Sequence, residues 1–200
     1  MILQPLLQVL NKMEFNNIIL ASASPRRREL LKMIFDEFSV LAADIEEIIP
    51  ENIKNEEAPE YLARLKACHI AKTHKNSLVI GSDTAVFLGD KILGKPKTRQ
   101  EAKEMLLSLS GNVHKVITGC ALVLNEKIKS FSVVTEVEFL NLTDSEIEEY
   151  INSDELYDKA GGYGIQQKGG LFVKKINGDY FNVVGLPVAE LNRVLKNLDF

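Results

Sequence analysis

Four groups of residues in this sequence could do chemistry, and they lie far apart along the chain. The first is Ser22-Ala-Ser-Pro-Arg-Arg-Arg28. At a strand-to-helix turn, free backbone N–H groups and the positive end of a helix would meet Arg26 and Arg27, which suits an anion such as phosphate. An ordinary N-cap followed by solvated arginines accounts for the same residues. The second is Ile45-Glu-Glu47 in a loop, where carboxylates could coordinate Mg²⁺ or simply face water. The third is Gly81-Ser-Asp-Thr84 with Gly94-Lys-Pro96 further on. Asp83 falls at the end of a buried strand run, where a charge needs a partner or a metal. It could serve as metal ligand or general base, with Lys95 neutralising a transferring phosphoryl group; a turn Asp and a surface Lys are the plain alternative. The fourth is Asp158-Lys-Ala-Gly-Gly-Tyr-Gly-Ile-Gln166. Its glycines let backbone approach a ligand, and the Gln166 amide can both donate to and accept from a base edge. Tyr163 and Ile165 argue for a packed loop rather than a flexible one.

The elements that must position these groups read as mixed α and β. Residues 17–21 form a short buried strand, and 26–34 a helix with Ser24 at the N-cap and Pro25 at the first helical position. A second strand covers 38–42 and an amphipathic helix 58–74. Residues 77–81 form a strand, and 85–88 with 91–93 a hairpin about Gly89-Asp90. A helix over 98–109 closes at Gly111. Two long strands, 115–124 and 127–140, meet at Asn125-Glu126. Thr143-Asp-Ser-Glu146 opens a helix to about Ile151 as a capping box. Residues 161–170 make a shaped loop, 171–176 and 180–184 a second hairpin about Asn177-Gly-Asp179, and 186–198 a closing helix.

Composition narrows the class. The chain has 200 residues, 46% hydrophobic and 26% charged, which suits one globular domain or two closely fused lobes. Net charge is −4, from 24 basic and 28 acidic residues, which argues against a nucleic-acid partner. Cys68 and Cys120 match no zinc or CxxC spacing and read as reduced core thiols, hence a cytoplasmic protein. His69 and His74 are five residues apart and cannot share a helix face as a metal pair would. No apolar run reaches the roughly 20 residues a membrane span needs, so no membrane partner is expected. The apolar first ten residues lack the basic flank and cleavage site of a signal peptide.

The run Ala21-Ser-Ala-Ser-Pro-Arg-Arg-Arg-Glu-Leu-Leu31 resembles the signature of the Maf family of nucleoside triphosphate pyrophosphatases. Ser82-Asp-Thr84, Gly94-Lys-Pro96, Leu109-Ser-Gly111 with His114, the 158–166 segment and Asn182-Val-Val-Gly-Leu-Pro187 match later blocks in the same order. The likeness covers about 17–197. It implies a fold similar to inosine triphosphate pyrophosphatases: an α/β architecture with a mixed twisted sheet, flanking helices and two lobes around a deep groove. Residues 14–200 would be a single domain, after an extension, 1–13, of unknown role, with either Met1 or Met13 as the start.

The resemblance further implies hydrolysis of nucleoside triphosphates to monophosphate and pyrophosphate with Mg²⁺ or Mn²⁺. The 158–166 segment is similar to the branch acting on dTTP and UTP. Asp83 would be the proton acceptor, and Glu47 with Asp83 would hold the metal. Ser22, Ser24, Arg26, Arg27, Thr84, Lys95, Lys159 and Gln166 would bind substrate, with Arg26, Thr84 and Gln166 at positions tied to substrate preference. The family's lysine in the helix after Arg64-Leu65 falls at His69 in this reading, with Lys66 or Lys72, about one turn away, as substitutes. A homodimer and a link to septum formation also follow from the family alone. The competing expectation is a non-catalytic triphosphate sensor in cell-division control, which needs the arginines and Gln166 but not a competent Asp83.

Overall fold

The computed structural model describes residues 16–152 and 157–198. The 1–13 extension and the question of Met1 or Met13 lie outside the described residues. The strands are β1 (Asn17–Ala21), β2 (Ser39–Val40), β3 (Ser77–Leu88), β4 (Lys91–Leu93), β5 (Val113–Leu124), β6 (Lys127–Phe139) and β7 (Val173–Asn177). They form a mixed sheet in the order β2-β1-β3-β5-β6-β7, with β4 paired to β3. The helices are α1 (Pro25–Leu31), α2 (Ala58–Ala71), α3 (Arg99–Leu109), α4 (Asp144–Ile151), α5 (Tyr180–Val184) and α6 (Val188–Lys196). The expected α/β class with a mixed sheet and flanking helices is therefore what the chain adopts. The chain divides into two compact units.

The first unit comprises Met1–Asp83, Thr118–Val133 and Gly185–Phe200. Strand β1 pairs in parallel with β2 and with β3, Ala21 standing opposite Gly81. Parallel strands need crossover connections, and α1 and α2 are those crossovers. One core cluster gathers Ile19, Ala21, Val79, Ala121 and Val123 with Ala63, Ala67 and Ile70 of α2. Two glycines let α2 lie close on the sheet. A Cβ on Gly81 would stand 2.2 Å from the Ala63 carbonyl oxygen, and one on Gly119 would stand 2.3 Å from the Glu60 backbone nitrogen. Neither gap leaves room for any other residue.

The second unit comprises Thr84–Ile117 and Val134–Val184. Its core joins Val86, Leu93, Leu106, Leu109, Val116, Val137 and Phe139 with Ile147, Tyr150, Tyr163 and Phe172. The β3–β4 hairpin turns at Gly89, whose φ of +57° favours glycine. Thr143 opens α4 with the expected capping box: its hydroxyl accepts from Glu146 N, and the Glu146 carboxylate accepts from Thr143 N.

Three expectations about elements are corrected. Asp83 does not end a strand, because β3 runs unbroken through twelve residues and carries it in the interior. The strand expected over 38–42 is only Ser39–Val40. Residues 180–184 are the helix α5 rather than a hairpin strand. The Asp179 carboxylate accepts from Phe181 N, and the Asn182 amide donates to Val116 O and Thr135 Oγ1. Those bonds hold the short helix to its surroundings at its start and at its middle.

Candidate functional site

The first unit assembles a charged cluster where β1 ends alongside the middle of β3. Because Ala21 is level with Gly81, the chain leaving β1 at Ser22 runs beside Ser82 and Asp83. Side chains alternate along a strand, so Gly81 and Asp83 face the same side, the side α2 covers. Helix α2 presses Ala63 and Ala67 against that face. Lys66, three residues from Ala63 and adjacent to Ala67, projects from the rim of the contact. Its ammonium lies 2.6 Å from Asp83 Oδ1 and 2.9 Å from Glu47 Oε1, joining the two carboxylates through one cation. The Lys66 and Asp83 side chains are only 13% and 17% exposed, so this pair is largely desolvated, while Glu47 is half-exposed.

Arg27 completes the cluster. Its Nε donates to Gly185 O at 2.9 Å and its Nη1 to Ser22 Oγ at 3.2 Å. The buried Ser82 hydroxyl donates to the same Gly185 carbonyl at 3.1 Å. Gly185 adopts φ +120°, a conformation that favours glycine and offers its carbonyl to both donors. Burial lowers the Arg27 pKa from its ordinary value, and the negative charge of Asp83 opposes that shift. Ser24 holds the N-cap position of α1, but its hydroxyl makes no capping bond; Ser22 Oγ instead accepts from Ser24 N at 3.2 Å. Arg26 follows on the first turn of α1, half-buried.

Lys66 is the residue that sequence reasoning placed second. His69 is exposed, and so is Lys72. At 100° per residue, His69 stands about 160° around the helix from the inward-facing Ala67. The signal was available: Gly81 must face the helix, and Ala63 and Ala67 are the small residues at helical spacing that fit against it.

The cysteines are not bridged; Cys120 is buried and Cys68 half-buried. Cys120 Sγ lies 3.9 Å from Ser82 Oγ, and burial pushes the Cys120 pKa up to about 12. It is an inert thiol beneath the cluster rather than a nucleophile.

The second unit carries Thr84, Lys95, Lys159 and Gln166. Gly161 N donates to Gly94 O at 3.0 Å, which ties the 158–166 loop to the segment bearing Lys95. Gly161 and Gly162, at φ +72° and +71°, turn the chain so that Gly161 lies on Val86 and Gly162 faces Pro96. Lys159 is 8% exposed and pairs with Asp158, its stem crossing Gly164 so closely that a Cβ there would meet Lys159 Cε at 2.7 Å. Tyr163 is buried, whereas Gln166 and Lys95 are exposed and Thr84 half-buried. The expectation of a packed loop holds at Tyr163.

Two carboxylates that already share one cation fit a divalent ion of the Mg²⁺ type, which binds through one or two carboxylates and completes its shell with water and phosphate oxygens. Among the described residues no group of three or more His, Cys, Asp or Glu could form an all-protein cage. No helix of the described residues is long and apolar enough to cross a membrane.

Two solved structures share the fold. The chain is similar to a HAM1 protein from Coxiella burnetii, with TM-score 0.51 at 17% identity, covering 90% of this chain and 98% of that one. It is similar also to the Ham1 protein of Staphylococcus aureus, with TM-score 0.50 at 16% identity over 92% of this chain and 100% of that one. The fold is therefore of the Ham1 type.

The family follows from sequence. Residues 17–198 match the family described as Maf-like protein, and the chain belongs to that family. It is 50% identical over 181 residues to a dTTP/UTP pyrophosphatase of Bacillus cytotoxicus, covering 90% of this chain and 95% of the relative. It is 48% identical to one from Bacillus mycoides over 91% of this chain and 95% of the relative. The relative from Halalkalibacterium halodurans with the same name is 46% identical over 90% of this chain and 94% of its own length.

Proposed function

We propose that this protein is a nucleoside triphosphate pyrophosphatase that hydrolyses dTTP and UTP to the monophosphate and pyrophosphate. The observation that carries this is the Glu47–Lys66–Asp83 cluster beside Arg27, in a chain about half identical to dTTP/UTP pyrophosphatases. We read residues 14–200 as one Maf-like domain, a reading supported by a family match that spans both units.

Asp83 acts as general base. Its second carboxylate oxygen takes a proton from water as the water oxygen bonds to the α-phosphorus. The bond from that phosphorus to the oxygen bridging to the β-phosphate breaks, and pyrophosphate leaves with the electron pair. Arg26, Arg27, Lys66, Lys95 and Lys159 balance the charge that develops on the triphosphate, with Ser22 and Ser24 as hydroxyl partners. A divalent cation held by Glu47 and Asp83, Mg²⁺ or Mn²⁺, would supply charge neutralisation and a more acidic water. The Gln166 amide, with Thr84 and Arg26, reads the pyrimidine edge and sugar.

The test is pyrophosphate release from a panel of nucleoside triphosphates with Mg²⁺ or Mn²⁺, wild type beside Asp83→Asn. Release from dTTP and UTP, reduced at least roughly 1,000-fold by the substitution, is expected. Binding without release from any triphosphate would overturn the enzymatic reading and leave the sensor.

A further inference from the structure

One buried polar pair has no part in the chemistry just described. His114, on β5, is 1% exposed, and its Nε2 lies 2.8 Å from the hydroxyl of Tyr163. Its other ring nitrogen, Nδ1, is buried without a hydrogen-bond partner. Both rings stand edge-on to Phe139, with centroids 4.9 and 4.8 Å from it. An apolar ring in place of His114 would fill this space among aromatic neighbours without stranding a nitrogen. Packing alone therefore does not explain a histidine here. Its one hydrogen bond goes to the tyrosine at the centre of the 158–166 loop.

That bond fixes more than a ring. Tyr163 is flanked by Gly162 and Gly164, which have no side chains to hold the backbone. Gly164 N donates to the Tyr150 hydroxyl at 3.1 Å, and Gly161 N to Gly94 O at 3.0 Å. The loop is thus held at its backbone on both sides of Tyr163 and at the Tyr163 hydroxyl itself. The Lys159 stem lies directly across Gly164. A shift of the Tyr163 ring would move Gly164 and take Lys159 with it.

We propose that His114 is a positioning residue for substrate: through the Tyr163 hydroxyl it holds the 158–166 loop where Lys159 and Gln166 meet the nucleotide. This rests on the reading of Lys159 and Gln166 as substrate contacts. His114 touches no reacting atom, so its removal weakens binding and leaves the chemical step in place.

The experiment compares Tyr163→Phe, His114→Phe and the double variant with His114→Gln, whose side-chain amide can donate to or accept from the Tyr163 hydroxyl. KM and kcat for dTTP are measured by pyrophosphate release, and Kd for the α,β-imido analogue of dTTP by calorimetry. Each phenylalanine variant is expected to raise KM and Kd about tenfold, the usual scale of one lost hydrogen bond, with kcat changed less than about threefold. The double variant should be no worse than either single one, because both break the same contact, and His114→Gln should recover most of the affinity. Unchanged KM and Kd alongside a lowered melting temperature would overturn the proposal and leave the pair merely structural. Additive losses in the double variant would overturn it too. If wild type releases pyrophosphate and binds the analogue while the variants match it, this inference alone fails. If wild type does neither, the substrate reading fails and carries this inference with it.

Discussion

In the first unit, the charged side chains stand on rigid elements: Lys66 on α2, Asp83 inside β3, Arg27 on α1 with its guanidinium fixed to Gly185 O. In the second, Lys159 and Gln166 stand on a loop whose shape comes from glycines and from aromatic hydroxyls beneath it. Both regions depend on glycine, for different reasons. Gly81 and Gly119 are needed because helix backbone lies against the strands. Gly164 is needed because a lysine stem crosses it. Backbone cannot yield without moving a whole helix, whereas the far end of a lysine can swing away. The first arrangement holds its charged groups fast; the second leaves Lys159 and Gln166 adjustable but sensitive to what anchors the loop.

The hardest blow to this contrast is Gly81→Ala. With the new Cβ at 2.2 Å from Ala63 O, α2 must move, and a loss of about 3 kcal/mol is expected. Thermal unfolding should show it as a fall of roughly 10 °C; a shift under about 2 °C would mean the helix yields as easily as a side chain.

Acid should reveal the buried histidine next. Burial lowers the His114 pKa from 6.5 to about 4. As pH falls below 6.5 the unfolded chain takes up a proton that the folded state refuses. Stability is therefore lost progressively down to about pH 4, by about 3 kcal/mol from this residue in all. The pH dependence of denaturant unfolding should be shallower for His114→Phe than for wild type over that range.

Lys66→Met is expected to lower kcat/KM for dTTP about 100-fold, while His69→Ala stays within about twofold of wild type, a control scaled to ordinary surface substitutions. Equal losses would contradict the helix geometry that turns Lys66 toward Asp83 and His69 away. The smallest effect sharpens the comparison most. Gly164→Ala should leave the melting temperature within about 2 °C, as for a change that only flexible side chains must accommodate, yet raise KM for dTTP several-fold, because the Lys159 stem has to move, with the Gln167 side chain giving slightly. A large fall in stability there would make the loop as rigid as the helix contact.

Where local chemistry decides, the sequence was legible. The Thr143 capping box, the turn at Asn125-Glu126 and the β3–β4 hairpin at Gly89 stand where composition places them. Tyr180–Val184 misled because its apolar, β-branched residues suit a strand, while bonds from Asp179 and Asn182 to partners near and far in sequence hold it as a helix. Asp83 read as a strand end because a charge in an apolar run normally marks one. Lys66 supplies the partner that lets the strand continue.

The sequence by itself determined the class of fold and the family, since these rest on side-chain identity and spacing. It determined that Arg26 and Arg27 open a helix and that glycines shape the 158–166 loop. Only the tertiary structure decided that Lys66 rather than His69 joins Glu47 to Asp83, that Gly185 O holds Arg27 and that His114 anchors Tyr163. Each of these depends on which face of one element lies against another. Rotation of a helix about its axis is fixed by close contact at residues such as Gly81 and Ala63, far apart in the chain and adjacent only once it has folded.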